Sequence, residues 1–292
     1  MITRSAVITL QLIAAIVVLC ATPAAAASVD GINLHWTSTG SGPQTLVLIH
    51  GWTCDDTSWS AQLPALSKKY RVLTLDLPGH GKSGMPKPGA FSMDLFARAV
   101  EAVRAEAKAD RLVLVGHSMG GPVIRQYARL YPQRVAALVL VDGVVALGAP
   151  PRPGAATLAP PQPEQMRGPD GLKARETMIR GMFLPSTPKP IQDHVLKMML
   201  AAPEATAYGA MIATFDPAIW KENVVLTMPA LGIFADKSAL GNPDATRKVL
   251  PNFEYHEVPG TGHFVMMEKP AEFNRLVERF VDGLPPVSAS RR

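Results

Sequence analysis

Five short apolar runs, at residues 45–49, 71–75, 111–115, 136–141 and 230–234, constrain this chain more than any other feature of its sequence. They are rich in Val, Leu and Ile and do not alternate with polar residues, so each reads as a strand buried on both faces. Between the runs the spacing becomes helical. Residues 91–109 put Phe96, Val100 and Val103 on one side, and 122–130 form a second helical stretch. Strand alternating with helix implies an α/β fold with a mostly parallel, doubly wound sheet covered on both faces. Residues 31–37 add an expected outer strand and 253–258 a last inner one. Residues 272–281 close the chain as a helix, with Phe273, Leu276, Val277 and Phe280 at i, i+3, i+4 and i+7.

The alternation breaks between residues 147 and 223. This stretch opens with a proline-rich segment and continues with helix-like spacing at 175–182, 191–200 and 205–212. A helical cap or lid, inserted after the sixth strand, is the expectation. Met166, Met178, Met182, Met198, Met199 and Met211 all fall in it, either filling gaps in a small helical core or forming an adaptable apolar wall over a cleft. The expected organisation is therefore a core over 28–146 and 224–284, split by the 147–223 insertion, with a flexible tail at 285–292.

Residues 1–27 read as an export signal: a basic start ending at Arg4, an apolar stretch from Ala6 to Cys20, and a run of small residues up to Ala27. The apolar stretch falls short of the ~20 residues that cross a bilayer, so no stable membrane insertion is expected after cleavage. A periplasmic or secreted location follows.

Composition excludes several functions. The 29 Lys and Arg against 24 Asp and Glu give a net charge of +5, but the basic residues are scattered, which argues against a dedicated nucleic-acid binder. The two cysteines, Cys20 and Cys54, provide no disulfide framework and no zinc spacing, so neither a metal nor a cofactor is expected.

The chemistry concentrates in Arg111-Leu-Val-Leu-Val-Gly116-His117-Ser118-Met119-Gly120-Gly121-Pro122, a buried run leading straight into Gly-x-Ser-x-Gly and then a helix. Such a tight turn pushes Ser118 out at the carboxyl end of its strand, and the flanking glycines permit a strained backbone and a close neighbour. A nucleophilic serine needs a base to take its proton and a carboxylate to hold that base in the right tautomer. His263, in Pro259-Gly260-Thr261-Gly262-His263-Phe264, follows the last expected strand and emerges at the same sheet edge. For the carboxylate, Asp236 ends the run Ala230-Leu-Gly-Ile-Phe-Ala235 and completes the order Ser118, Asp236, His263. Asp142, after Leu138-Val-Leu-Val141, is its rival, and Asp236 is preferred on order and loop position. Asp76 reads as a loop-bracing carboxylate.

Acyl transfer also needs fixed N–H donors for the developing oxyanion. Thr45-Leu-Val-Leu-Ile-His50-Gly51-Trp52 again runs a strand into a glycine turn, and the amides of Trp52 and Met119 are the expected donors. His50-Gly51-Trp52, the segment from Asp76 to Ser83, Gly116-His-Ser118-Met-Gly120-Gly121, Asp236 and Gly262-His263 together resemble the α/β-hydrolase superfamily. Within it, His50-Gly-Trp52 paired with Ser118-Met119-Gly-Gly is similar to the esterase and cofactor-free perhydrolase group. The resemblance implies a hydrolase acting on a small-molecule ester, with a lactone, an amide, a carbon–carbon bond or peroxide-dependent chemistry as alternatives. A ligand-binding member of the fold without turnover is a further alternative.

Overall fold

The computed structural model describes residues 27–146, 154–155, 162–220 and 224–285. The expected leader up to residue 26, most of the proline-rich opening of the insertion and the tail from 286 lie outside the described residues. The chain begins with a small hairpin, β1 (Ser28–Val29) against β2 (Ile32–Asn33). It then enters a seven-stranded sheet: β3 (Trp36–Thr39), β4 (Thr45–Ile49), β5 (Arg71–Leu75), β6 (Leu112–His117), β7 (Val135–Val141), β8 (Ala230–Ala235) and β9 (Phe253–Val258). In space the order is β3-β5-β4-β6-β7-β8-β9, with β3 antiparallel to β5 and every other pairing parallel.

The apolar runs behave as their composition demands. Every residue of β4, β6 and β8 is buried, whereas the edge strands β3 and β9 carry exposed positions. The helices are α1 (Leu63–Leu66), α2 (Met93–Glu106), α3 (Gly120–Leu130), α4 (Gly171–Arg180), α5 (Lys189–Leu200), α6 (Glu204–Phe215), α7 (Pro217–Trp220), α8 (Pro243–Val249), α9 (Val265–Glu268) and α10 (Pro270–Asp282). In α2, Ser92 caps the start by accepting from the Leu95 N–H, and Phe96, Val100 and Val103 turn inward. In α10, Phe273, Leu276 and Val277 are buried as their spacing requires, while Phe280 is only partly covered. Each large apolar side chain enclosed this way contributes ~1.5–3 kcal/mol against the entropy of ordering the chain. None of the described helices is long and apolar enough to cross a membrane.

Two expectations shift. The outer segment 31–37 is divided between the hairpin and β3, because the left-handed Asp30 and Gly31 turn the chain back on itself first. Counted along the chain, β7 is the fifth strand of the large sheet, so the helical segment α4–α7 follows the fifth sheet strand and not a sixth.

The topology decides where a ligand can sit. From β4 the chain moves to β5 on one side and later to β6 on the other, so the strand order reverses between β4 and β6. Loops leaving the carboxyl ends of two such strands diverge and leave a crevice. Gly51 and Trp52 follow β4, and Ser118 follows β6.

Candidate active site

Ser118 joins β6 to α3 with φ of +53°, the left-handed region that costs a non-glycine residue roughly 1–2 kcal/mol. The surroundings hold it there. Its N–H donates to the Val141 carbonyl at 2.9 Å and its carbonyl accepts from the Gly121 N–H at 2.9 Å. The flanking glycines are explained by contact: a Cβ on Gly116 would lie 2.3 Å from the Gly120 oxygen, and one on Gly120 would lie 2.6 Å from the Ile49 oxygen. The turn is pressed against β4, and no side chain fits between them.

Ser118 and His263 line one small cavity, together with Gly51, Trp52, Cys54, His117, Phe264 and two methionines of the insertion, Met182 and Met199. Three polar groups of His263 are engaged. Its N–H donates to the Met182 carbonyl at 3.1 Å, its carbonyl accepts from His117 Nε2 at 2.9 Å, and its Nδ1 donates to Asp142 Oδ2 at 2.6 Å. Nε2 has no partner among the described residues.

Asp142, not Asp236, therefore stands against His263, which corrects the preference drawn from chain order. Both carboxylates follow buried parallel strands at the same sheet edge, and both satisfy the order serine, acid, histidine. Asp142 has φ of +39°, and a Cβ on the next residue, Gly143, would lie 2.7 Å from the Ser118 oxygen. The chain after β7 thus turns tightly beside the serine and brings the carboxylate under the imidazole. Asp236 Oδ2 instead accepts from the Gly260 N–H at 3.0 Å, and the Asp236 N–H donates to the Thr261 carbonyl at 3.1 Å, so this residue braces the loop that carries His263. The missed signal is the dipeptide Asp142-Gly143, since Asp tolerates the left-handed region and Gly permits the close approach that follows.

The electrostatics of Asp142 follow from its partners. Burial pushes its carboxyl up, but hydrogen bonds from His263, the Ser238 hydroxyl and the Ala235 N–H, with the His263 charge, outweigh burial and hold it below the usual range. His117 is wholly buried, which drives its pKa down to about 3; the neighbouring His263 adds to the fall. His117 is thus neutral, with its proton on Nε2. Cys54 is pushed up to about 12, by burial first and the Asp55 charge second, and is an inert thiol.

Of the two expected oxyanion donors, Met119 follows Ser118 in the chain and Trp52 lines the cavity that Ser118 shares. Neither the Trp52 nor the Met119 N–H donates to a backbone carbonyl among the described residues. Met119 precedes the first turn of α3, whose N-terminus favours negative charge, although Met119 is not itself a cavity-lining residue. Trp52 does line the cavity. The Leu77 N–H donates to His50 Nε2 at 3.0 Å, so the buried His50 ring carries its proton on Nδ1 and donates to the Gly51 carbonyl at 2.8 Å. That carbonyl and the Trp52 N–H belong to one planar peptide, so His50 sets the direction of both.

The insertion is bound to these loops. The Trp52 indole N–H donates to the Ala207 carbonyl of α6 at 2.8 Å, and the Thr206 hydroxyl donates to the Gly79 carbonyl at 2.6 Å. The methionines divide: Met182 and Met199 face the cavity, whereas Met166, Met198 and Met211 are core. Asp76 braces its loop as expected, accepting from the Asp56 N–H at 2.7 Å and the Lys82 N–H at 2.8 Å. His35, Asp56 and Asp76 bring potential metal-ligating atoms within 4.8 Å of one another, but both Asp76 oxygens are already committed to those backbone donors.

Residues 46–276 match the family model described as "Alpha/beta hydrolase family". An uncharacterized protein of Mycobacterium tuberculosis is 28% identical over 286 residues, spanning 89% of this chain and 81% of that protein. Among solved structures, a thermophilic esterase from Thermogutta terrifontis superposes with a TM-score of 0.73 at 27% identity, covering 88% of this chain and 96% of the esterase. An enzyme described as degrading N-acyl homoserine lactones superposes with a TM-score of 0.72 at 25% identity, covering 88% and 100% respectively.

Proposed function

Because the chain belongs to the alpha/beta hydrolase family, we propose that it is a serine hydrolase that cleaves carboxylic esters through an acyl-enzyme on Ser118. The observation that carries this reading is the 2.6 Å bond between His263 Nδ1 and Asp142, which leaves Nε2 as the one unengaged nitrogen of a ring sharing its cavity with Ser118. His263 Nε2 takes the Ser118 hydroxyl proton as the oxygen attacks the ester carbonyl. The amides of Trp52 and Met119 receive the oxyanion. His263 then returns the proton to the leaving alcohol, and a water deprotonated by the same nitrogen hydrolyses the acyl-enzyme. Asp142 keeps the imidazole in the tautomer that accepts at Nε2 and supports its positive charge. Each step uses groups of this chain and water alone.

The lining of the cavity supports a substrate class. A site walled by Trp52, Met182, Met199 and Phe264 suits a compact, uncharged acyl group. A lactone is an ester whose alcohol stays attached to its acyl group, so the same steps would open one. The likeness to the lactone-degrading enzyme supports testing lactones alongside simple esters.

Incubation with a fluorophosphonate, followed by mass spectrometry, is expected to label Ser118, and a short-chain aryl ester is expected to turn over. Ser118→Ala should abolish both. Labelling elsewhere, or turnover that survives the substitution, rejects the proposed nucleophile. The apolar leader supports export, for which the expected finding is a purified protein whose N-terminus begins near residue 28.

A further inference from the structure

We infer, on the reading that His263 is the general base, that Glu268 is a positioning residue acting on it through the backbone at Gly262. Glu268 ends the single turn of α9 and reaches back to its own loop. Both its oxygens lie 3.1 Å from the Gly262 nitrogen, so one backbone N–H is shared by the carboxylate. Glu268 Oε2 also accepts from the Thr187 hydroxyl at 3.0 Å, and the Thr187 oxygen in turn accepts from the Leu184 N–H at 3.0 Å. The next amide along the loop, that of His263, donates to the Met182 carbonyl. Two successive N–H groups are therefore taken, one by Glu268 and one by the segment 182–187 of the insertion.

The packing at Gly262 makes this arrangement restrictive. A Cβ there would lie 2.9 Å from the Met182 oxygen and 3.0 Å from Glu268 Oε1, so the carboxylate and the insertion close on the loop from two sides. Peptide units are rigid: Glu268 holds the Thr261–Gly262 unit, which carries the Gly262 N–H, the Met182 carbonyl holds the Gly262–His263 unit, and the second unit decides where the His263 side chain leaves the backbone. Releasing the Gly262 N–H would let the Thr261–Gly262 unit rotate and, through the Gly262 Cα, shift the next unit and move the imidazole relative to Asp142 and Ser118. A displacement of about 1 Å in a reacting group can cost on the order of a hundredfold in rate. A carboxylate suits the position because two donors converge on it, Gly262 N–H and Thr187 O–H. Glutamine retains one acceptor oxygen and alanine none.

The test compares Glu268→Ala, Glu268→Gln and Thr187→Val in the full chain. The readouts are kcat and KM on a short-chain aryl ester, the thermal transition, and the downfield proton signal of the short His263–Asp142 hydrogen bond. Glu268→Ala is expected to lower kcat roughly ten- to a hundredfold with KM changed less than about twofold, and to broaden or remove the downfield proton. Glu268→Gln should recover most of that loss, and Thr187→Val should fall between it and the wild type. The inference is overturned if folded Glu268→Ala keeps wild-type kcat, if the loss lies in KM alone, or if Glu268→Gln is as impaired as alanine. Should Glu268→Ala fail to fold, Thr187→Val decides: an unchanged kcat and an unchanged proton signal overturn it. If the wild-type chain cleaves no ester, the proposed function fails separately, and a downfield proton that persists in Glu268→Ala still overturns the positioning role.

Discussion

The side chain immediately before Ser118 carries the backbone of His263: His117 Nε2 donates to the His263 carbonyl at 2.9 Å, with the two ring centroids 4.7 Å apart. The turn that presents the serine thus also sets the height of the candidate base. Burial keeps His117 neutral as it donates this bond. A second cation so close to His263 would oppose the imidazolium that forms during ester cleavage.

That neutrality sets a pH dependence. His117 and His80 are both depressed to about 3 from the ordinary histidine value, primarily by burial. Between about 6.5 and 3 the unfolded chain holds protons on these rings that the folded chain does not. Stability therefore rises with pH through that window and is lost as pH falls, by about 1.4 kcal/mol per pH unit for each ring well inside it. Urea unfolding between pH 4 and 6 should show this slope, and His117→Asn should reduce it by one proton. An unchanged slope in the variant would show that His117 titrates normally in the fold.

Asp142→Asn should reduce kcat/KM on an aryl ester by ~10³- to 10⁴-fold, because the amide can present its N–H to His263 and favour the wrong tautomer. Asp236→Asn keeps an acceptor oxygen for the Gly260 N–H and leaves the imidazole's partner untouched, so a loss within about tenfold is expected. The opposite ranking would return the acid role to Asp236.

Met199 is almost fully buried and lines the cavity beside Ser118. Met199→Ala should shift the preferred nitrophenyl ester towards longer acyl chains while lowering stability by about 2–4 kcal/mol, the usual cost of such a truncation. An unchanged chain-length profile would place the acyl group elsewhere.

Ser118→Gly should abolish ester cleavage and yet stabilise the fold by about 1 kcal/mol relative to Ser118→Ala, since glycine accepts φ of +53° without the Cβ penalty that alanine keeps. Equal melting temperatures for the two variants would mean that the turn is not strained.

Much of the framework is legible along the chain because it depends on local pattern. The runs at 45–49 and 71–75 coincide with β4 and β5, since a strand covered on both faces favours apolar side chains, and the expected last strand at 253–258 coincides with the edge strand β9. Ser118 and His263 are legible because the glycines around them mark turns that no other residue could make. Shorter elements such as α1 and α8 are not legible in the spacing, being too brief for a helical period to register. For α8, however, the Asn242 cap and Pro243 at its first position are visible in the sequence.

The sequence by itself determined the strands, the serine turn and two carboxylates at one sheet edge, all of which follow from residue type and spacing. Only the tertiary structure decided between those carboxylates. Asp142 and Asp236 end the neighbouring strands β7 and β8, and the side chain that meets His263 depends on how loops more than a hundred residues apart turn towards each other. The same holds for Met182, Met199 and Glu268. Their roles come from contacts between the insertion and the His263 loop, and periodicity along a chain carries no information about which distant backbone a side chain will reach.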